Sequence, residues 1–228
     1  MRDGPRERVE EVPKAVIFDL DGVILDSEPL HFEADRRTMS VYGGGLPDEV
    51  LISYVGVSGR DMWADLITRY GIPDTLEGVL AHQKAHKLAL MAEMELAAIH
   101  GIPELLRHIR EAGMALALAS SSPMYYIEAV LAKLGIAGFF RAVASGEEVP
   151  RSKPSPDVFL LAAERLAVDR RDCLVIEDSA HGVRAAKTAG MLCVGYVNPT
   201  SGEQDLSGAD LVVSSFADTT LYGFLKGR

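Results

Sequence analysis

Ala15-Val16-Ile17-Phe18-Asp19-Leu20-Asp21-Gly22-Val23 runs from an unbroken apolar stretch straight into two carboxylates and a glycine. An apolar run this short, with no polar residue interrupting it, marks a strand buried on both faces, as in a parallel sheet. Runs of the same kind recur at Met114–Ala119, Arg141–Ala144, Cys173–Ile176, Leu192–Val197 and Leu211–Val213. Helical patterns fill the gaps. Ile102–Ala112 puts Leu105, Leu106 and Ile109 on one face, Met124–Leu134 is stopped by Gly135, Pro156–Leu166 carries Phe159, Leu160 and Ala163, and Ala180–Ala189 is stopped by Gly190. Strands alternating with helices predict an α/β fold with a doubly wound, Rossmann-like parallel sheet.

The stretch that follows the first strand breaks this rhythm. From about Glu28 to Ala97 no second strand is legible, and the pattern predicts helices over Leu30–Tyr42, Asp48–Tyr54, Gly59–Tyr70 and Thr75–Met94. We therefore expect an α/β core made of residues 1–27 and 97–228, with residues 28–96 inserted as a helical cap over it.

The 228-residue chain carries 48% hydrophobic residues and a formal net charge of −10. That content is enough for a sizeable core. The negative balance argues against nucleic acid and anionic membrane as partners. It also repels phosphorylated metabolites, so any phosphate site must supply its own positive field from a metal, a lysine or helix N-termini. Cys173 and Cys193 sit in apolar runs and read as two reduced core thiols of a cytoplasmic protein. Met1–Pro13 is charged and mixed in sign, reads as a mobile leader, and lacks the apolar stretch of a signal peptide. No apolar run approaches a membrane span. A monomer is the default expectation.

In open α/β sheets, ligands bind beyond the carboxyl ends of the strands. The residues at those ends are polar and mutually compatible. After the first strand, Asp19 and Asp21 stand two apart, so that one carboxylate can attack while the other handles a proton, and Gly22 permits a sharp turn beside them. After the second comes Ser120-Ser121-Ser122-Pro123. Ser120 and the backbone N–H of Ser121 are placed to donate to a phosphate oxygen, whereas Ser122 reads as a helix cap ahead of Pro123. After the third comes Lys153, ahead of a helix start at Ser155-Pro156. After the fourth come Glu177, Asp178 and Ser179. Magnesium takes hard oxygen ligands, and Asp19, the backbone carbonyl of Asp21 and Asp178 form a compatible set.

With these residues in place, the chain resembles the haloacid dehalogenase-like hydrolase superfamily. Phe18–Val23 (FDLDGV), Ser120 within ALASSS, Lys153 within SKPSPD, and Ile176–Gly182 (IEDSAHG) are similar to its four ordered motifs. The resemblance extends from Lys14 onward. The helical insert and Asp26–His31 (DSEPLH) are similar to the β-phosphoglucomutase-like subgroup and its sugar-phosphate phosphatase relatives. The resemblance implies a magnesium-dependent enzyme acting on a small phosphorylated substrate. Asp19 would form an aspartyl-phosphate, and Asp21 would act as general acid and then base. Ser120 and Lys153 would hold the transferring phosphoryl group. Asp178 would bind the metal, with Glu177 beside or behind it. The second aspartate argues against carbon–halogen cleavage, because the dehalogenases of this superfamily lack it.

Phosphatase and hexose-phosphate mutase share the phosphoenzyme and differ in what accepts the phosphoryl group. His31 stands ten residues after Asp21, and Arg60 follows Val55-Gly56-Val57-Ser58-Gly59, both as substrate-binding candidates of a mutase-like cap. Gly59 separates Ser58 from Arg60, a departure from the mutase pattern. A cap lysine is also expected, with Lys84 and Lys87 as candidates. Phosphatase is the favoured reading, mutase the runner-up, and an inactive phosphate-binding module the reading from outside the enzymes.

Overall fold

The computed structural model describes residues 12–227. Most of the expected leader, residues 1–11, lies outside them.

Six strands form one sheet: β1 (Ala15–Phe18), β2 (Ala115–Ser120), β3 (Ala142–Ser145), β4 (Cys173–Glu177), β5 (Leu192–Tyr196) and β6 (Leu211–Val213). Their order is β3-β2-β1-β4-β5-β6, and every pairing is parallel. The chain turns away from β1 in both directions, so the switch point lies between β1 and its neighbours β2 and β4. That is where open sheets place ligands.

Side-chain alternation explains why both faces are covered. Val16 and Phe18 of β1 point into a core with α5 (Ile102–Glu111) and α6 (Met124–Leu134). Ala15 and Ile17 point into the opposite core with α7 (Asp157–Leu166) and α8 (Ala180–Ala189). On that second face Ala117, Ala119, Ala142 and Ala144 are small, which lets α7 lie close to β2 and β3. Continuous apolar runs are what a strand covered on both sides requires.

The insert between β1 and β2 is helical: α1 (Glu28–Val41), α2 (Asp48–Ile52), α3 (Gly59–Tyr70) and α4 (Leu76–Glu93). It has its own apolar cluster around Trp63, with Met39, Leu51, Met62, Leu66 and Val79. Ser58 and Thr75 cap α3 and α4 by accepting from the N–H groups of Asp61 and Gly78. The two connections between sheet and insert run side by side, joined by a bridge between Leu25 and Ala98.

Several boundaries differ from expectation for local reasons. α1 begins at Glu28 rather than Leu30, because Pro29 suits the first turn of a helix. Ser120 and Glu177 are the last residues of β2 and β4 rather than the first residues beyond them. A last helix, α9 (Thr219–Phe224), was not expected; Asp218 caps it by accepting from Thr220 N–H. Both cysteines are free and buried, as read from the sequence. Among the described residues no helix is long and apolar enough to cross a membrane.

Candidate active site

The carboxyl ends of β1, β2 and β4 bring the motif residues to one point. Lys153 Nζ donates to Asp19 Oδ1 at 2.6 Å and to Glu177 Oε1 at 2.7 Å. The other Glu177 oxygen accepts from Asp178 N–H, Ser179 N–H and Ser179 Oγ at 2.8, 2.8 and 3.0 Å. Ser179 Oγ in turn accepts from Gly182 N–H and caps α8. Gly182 is required there: a β-carbon on it would lie 1.7 Å from Glu177 Oε1. Ser201, in the loop after β5, donates to Asp178 Oδ2 at 2.6 Å.

Asp21 occupies the second half of the site and is held by hydroxyls and a histidine. His31 Nε2 lies 2.7 Å from its Oδ1, and Ser27 Oγ donates to the same oxygen at 2.7 Å. Ser122 Oγ and Ser120 Oγ donate to Oδ2 at 2.7 and 3.2 Å.

The electrostatics of the two aspartates differ accordingly. Burial pushes Asp19 up to about 8, with the charges of Glu177 and Asp21 adding to it and Lys153 working against it. Burial also acts on Asp21, but His31 and the hydrogen bonds from His31, Ser27 and Ser122 outweigh it, holding Asp21 well below the ordinary carboxylate range. Asp178 is raised by burial and by Glu177 and Asp19. Lys153 is buried too, yet its two carboxylate partners hold it firmly protonated.

This donor set suits a hard divalent cation. Oxygen atoms of Asp19, Glu177 and Asp178 all lie within 4.8 Å of one another, and all three residues are buried. Among the described residues Lys153 is the one ammonium hydrogen-bonded to this group, so the carboxylates exceed their local compensation. Buried charge in excess is strongly disfavoured unless a cation offsets it. Gly22 leaves the space clear: its φ is +79°, and a β-carbon there would sit 1.9 Å from Asp178 Oδ2.

A cleft of about 960 Å³ opens between this cluster and the helical insert. His31 and Arg60 line it, together with Lys84 and Lys87. Structure separates the two lysines. Lys87 is 5% exposed, with its ammonium 5.5 Å from the Tyr126 ring centre, whereas Lys84 is exposed and lies 4.4 Å over the Tyr125 ring. The inner face of α4 is buried rather than solvated: Gln83 and Lys87 are both buried, and Gln83 donates to the buried Asp35 at 2.6 Å. Arg60 is exposed at the rim and pairs with Glu77 at 2.9 Å. Ser121 Oγ donates to the Gly56 carbonyl at 3.2 Å, tying the core to the insert.

One sequence reading fails outright. Ser122 does not cap α6; Pro123 occupies that position, no side chain caps the helix, and the Ser122 hydroxyl turns to Asp21 instead. Ser27 and Ser201 were not singled out at all. Ser27 lies within the DSEPLH stretch, but Ser201 is 23 residues from its partner and no local pattern marks it.

Comparison with known proteins agrees with this geometry. The sequence profile of the haloacid dehalogenase-like hydrolases matches residues 16–196. A phosphorylated carbohydrates phosphatase from Thermotoga maritima is 36% identical over 178 residues, covering 78% of this chain and 82% of its own. The crystal structure of CbbY from Rhodobacter sphaeroides, in complex with phosphate, superposes with a TM-score of 0.83 at 29% identity, covering 90% of this chain and 96% of its own. A β-phosphoglucomutase from Clostridium difficile superposes equally well, at 0.83 and 26% identity, over 94% of this chain and 97% of its own. The chain belongs to the haloacid dehalogenase-like hydrolases and is a phosphoryl-transfer enzyme of their phosphoric monoester hydrolase kind.

Proposed function

We propose that this enzyme is a magnesium-dependent phosphatase of small phosphorylated carbohydrates, working through an aspartyl-phosphate on Asp19. The observation that carries the reading is the buried Lys153 ammonium held between Asp19 and Glu177, with Asp21 in the same cleft. Phosphoryl transfer depends mainly on positioning and on neutralising charge at the phosphoryl oxygens.

In this reading Asp21, ionised in the substrate-free site, takes up a proton from solvent as the substrate enters; an Asp19 oxygen then bonds to phosphorus as the ester oxygen departs, and that oxygen takes the proton from Asp21. Asp21, now ionised, takes a proton from water, whose oxygen attacks the aspartyl-phosphate; inorganic phosphate leaves and Asp19 is restored. Ser120, the Ser121 N–H and Lys153 hold the phosphoryl group. Asp19, Asp178 and the Asp21 carbonyl would hold Mg²⁺, with Glu177 behind them, and the ion supplies charge neutralisation at the phosphoryl group. His31 keeps Asp21 in place. The division we propose is residues 1–27 and 97–228 for the catalytic core and 28–96 for the cap, in a cytoplasmic monomer.

A mutase is the second reading. The contact of His31 with Asp21 and the likeness to a β-phosphoglucomutase favour it. The engagement of Arg60 with Glu77 at the rim weighs against it, because that arginine is not directed at a second phosphate. Phosphorus NMR with Mg²⁺ and a panel of sugar phosphates distinguishes the two. The panel includes β-glucose 1-phosphate with a trace of the bisphosphate. Inorganic phosphate should accumulate. Migration of the signal from the 1- to the 6-position without free phosphate would replace the phosphatase by a mutase, and absence of both products and of any phosphoenzyme would leave only a binding module.

A further inference from the structure

The loop after β5 touches three functionally distinct places within three residues. Ser201 is fully buried, and among the described residues it is the one side chain that donates to Asp178. Just before it, Thr200 Oγ1 donates to Asp26 Oδ1 at 2.5 Å. Asp26 lies in the first connection from the sheet to α1. Just after it, Gly202 has a φ of +69°, and a β-carbon there would lie 2.8 Å from Ile52 Cγ2 on α2 of the insert. The loop is anchored at both ends. Asn198 Oδ1 accepts from Thr200 N–H at 3.1 Å, and Gln204 bridges the Ser201 carbonyl to the first N–H of α8 at 3.0 and 3.1 Å.

We propose that Asn198–Gly202 is a strap between the insert and the metal-binding carboxylate, and that Ser201 is the positioning residue through which it acts. Seating of α2 against Gly202 fixes the path of the strap. The strap then aims the Ser201 hydroxyl at Asp178 Oδ2 and so fixes the orientation of the Asp178 carboxylate beside Asp19 and Glu177. Hydrogen bonds that orient a metal ligand from behind typically change metal affinity 10- to 100-fold when lost. The inference rests on the reading of Asp178 as a magnesium ligand.

Magnesium affinity of the substrate-free, full-length enzyme, measured by isothermal titration calorimetry, tests it without recourse to turnover. Ser201→Ala should weaken binding by about 10-fold, while Ser201→Thr, which keeps the hydroxyl, should restore it. Gly202→Ala, which places a methyl 2.8 Å from Ile52 Cγ2 at a φ of +69°, should also weaken binding. Adding Ile52→Ala, which removes the branch that the new methyl strikes but not the backbone strain at that φ, should recover part of it. Asp178→Asn is the control for the underlying reading and should abolish binding. Wild-type affinity in both Ser201→Ala and Gly202→Ala, with binding lost in Asp178→Asn, would overturn the strap and leave the metal reading standing. Wild-type affinity in Asp178→Asn would overturn both.

Discussion

The Lys153 ammonium lies 2.6 Å from the Asp19 carboxylate, and both side chains are more than nine-tenths buried. One cation here serves two acids, because Glu177 takes a second hydrogen bond from the same nitrogen. Replacing Lys153 by Met therefore strands two buried carboxylates at once. Removing one partner of a buried ion pair costs roughly 3–5 kcal/mol. Urea unfolding of Lys153→Met in chelator should show a loss of that order at pH 8. The loss should shrink toward pH 5, because protonation of Asp19, already raised to about 8 by burial, relieves the unpaired charge. An unchanged stability at pH 8 would show that Lys153 is not the charge that makes this cluster tolerable.

Asp19→Asn probes the same pair from the other side. The substitution removes the nucleophile but keeps the side chain's size, and Lys153 retains Glu177. Loss of a covalent nucleophile costs about 10⁴-fold or more in kcat. Stability should not fall, since the native environment disfavours the ionised Asp19. Calorimetric melting in chelator should place the variant at or above wild type. Measurable steady-state turnover near the wild-type level would exclude Asp19 as the attacking group.

How much of this was legible in the sequence depends on distance along the chain. Asp19, Asp21 and Asp178 declared themselves because they stand at the ends of short apolar runs, and parallel strands gather such ends by topology alone; Lys153, eight residues beyond the end of β3, declared itself through the SKPSPD motif. The insert declared itself because helical periodicity replaced alternation after β1. What stayed hidden was the set of hydroxyls that hold the acids. Ser122 read as a helix cap because Ser-Pro is a common helix start, yet the strand end turns its Oγ inward to Asp21. Ser201 reaches Asp178 across a loop that follows a different strand, and a serine among Thr, Gly and Gln reads as ordinary turn composition. Lys84 and Lys87 differ by less than one helical turn, and only packing against Tyr126 sorts the buried one from the exposed one.

Removal of the divalent cation should abolish turnover and lower stability together. Asp19, Glu177 and Asp178 repel one another without it. Saturating Mg²⁺ should raise the melting temperature, by an amount that grows with the logarithm of its concentration. Gly22→Ala should erase that increment, because its β-carbon enters the Asp178 carboxylate at a φ that alanine adopts only with strain. A Mg²⁺-dependent melting shift that survives in Gly22→Ala would move the metal away from Asp178.

Glu28 provides a test of the cleft's inner wall. Burial pushes its carboxyl from the ordinary 4.5 to about 8; the charges of Asp21 and Asp26 raise it further, and Lys87 opposes them. The sign follows from proton linkage. Below pH 4.5 folded and unfolded chains both hold the proton, and Glu28 makes no difference. Between 4.5 and 8 the unfolded chain has released a proton that the folded chain still holds, so the unfolded state gains and stability falls as pH rises. Glu28→Gln cannot titrate and keeps the amide in the same place. Urea unfolding at pH 5, 6, 7 and 8 should show wild type losing stability relative to this variant across the window, by a few kcal/mol on the order expected from the shift. Parallel profiles for the two proteins would mean that Glu28 is ionised in the folded cleft, and that the Lys87 ammonium already neutralises it.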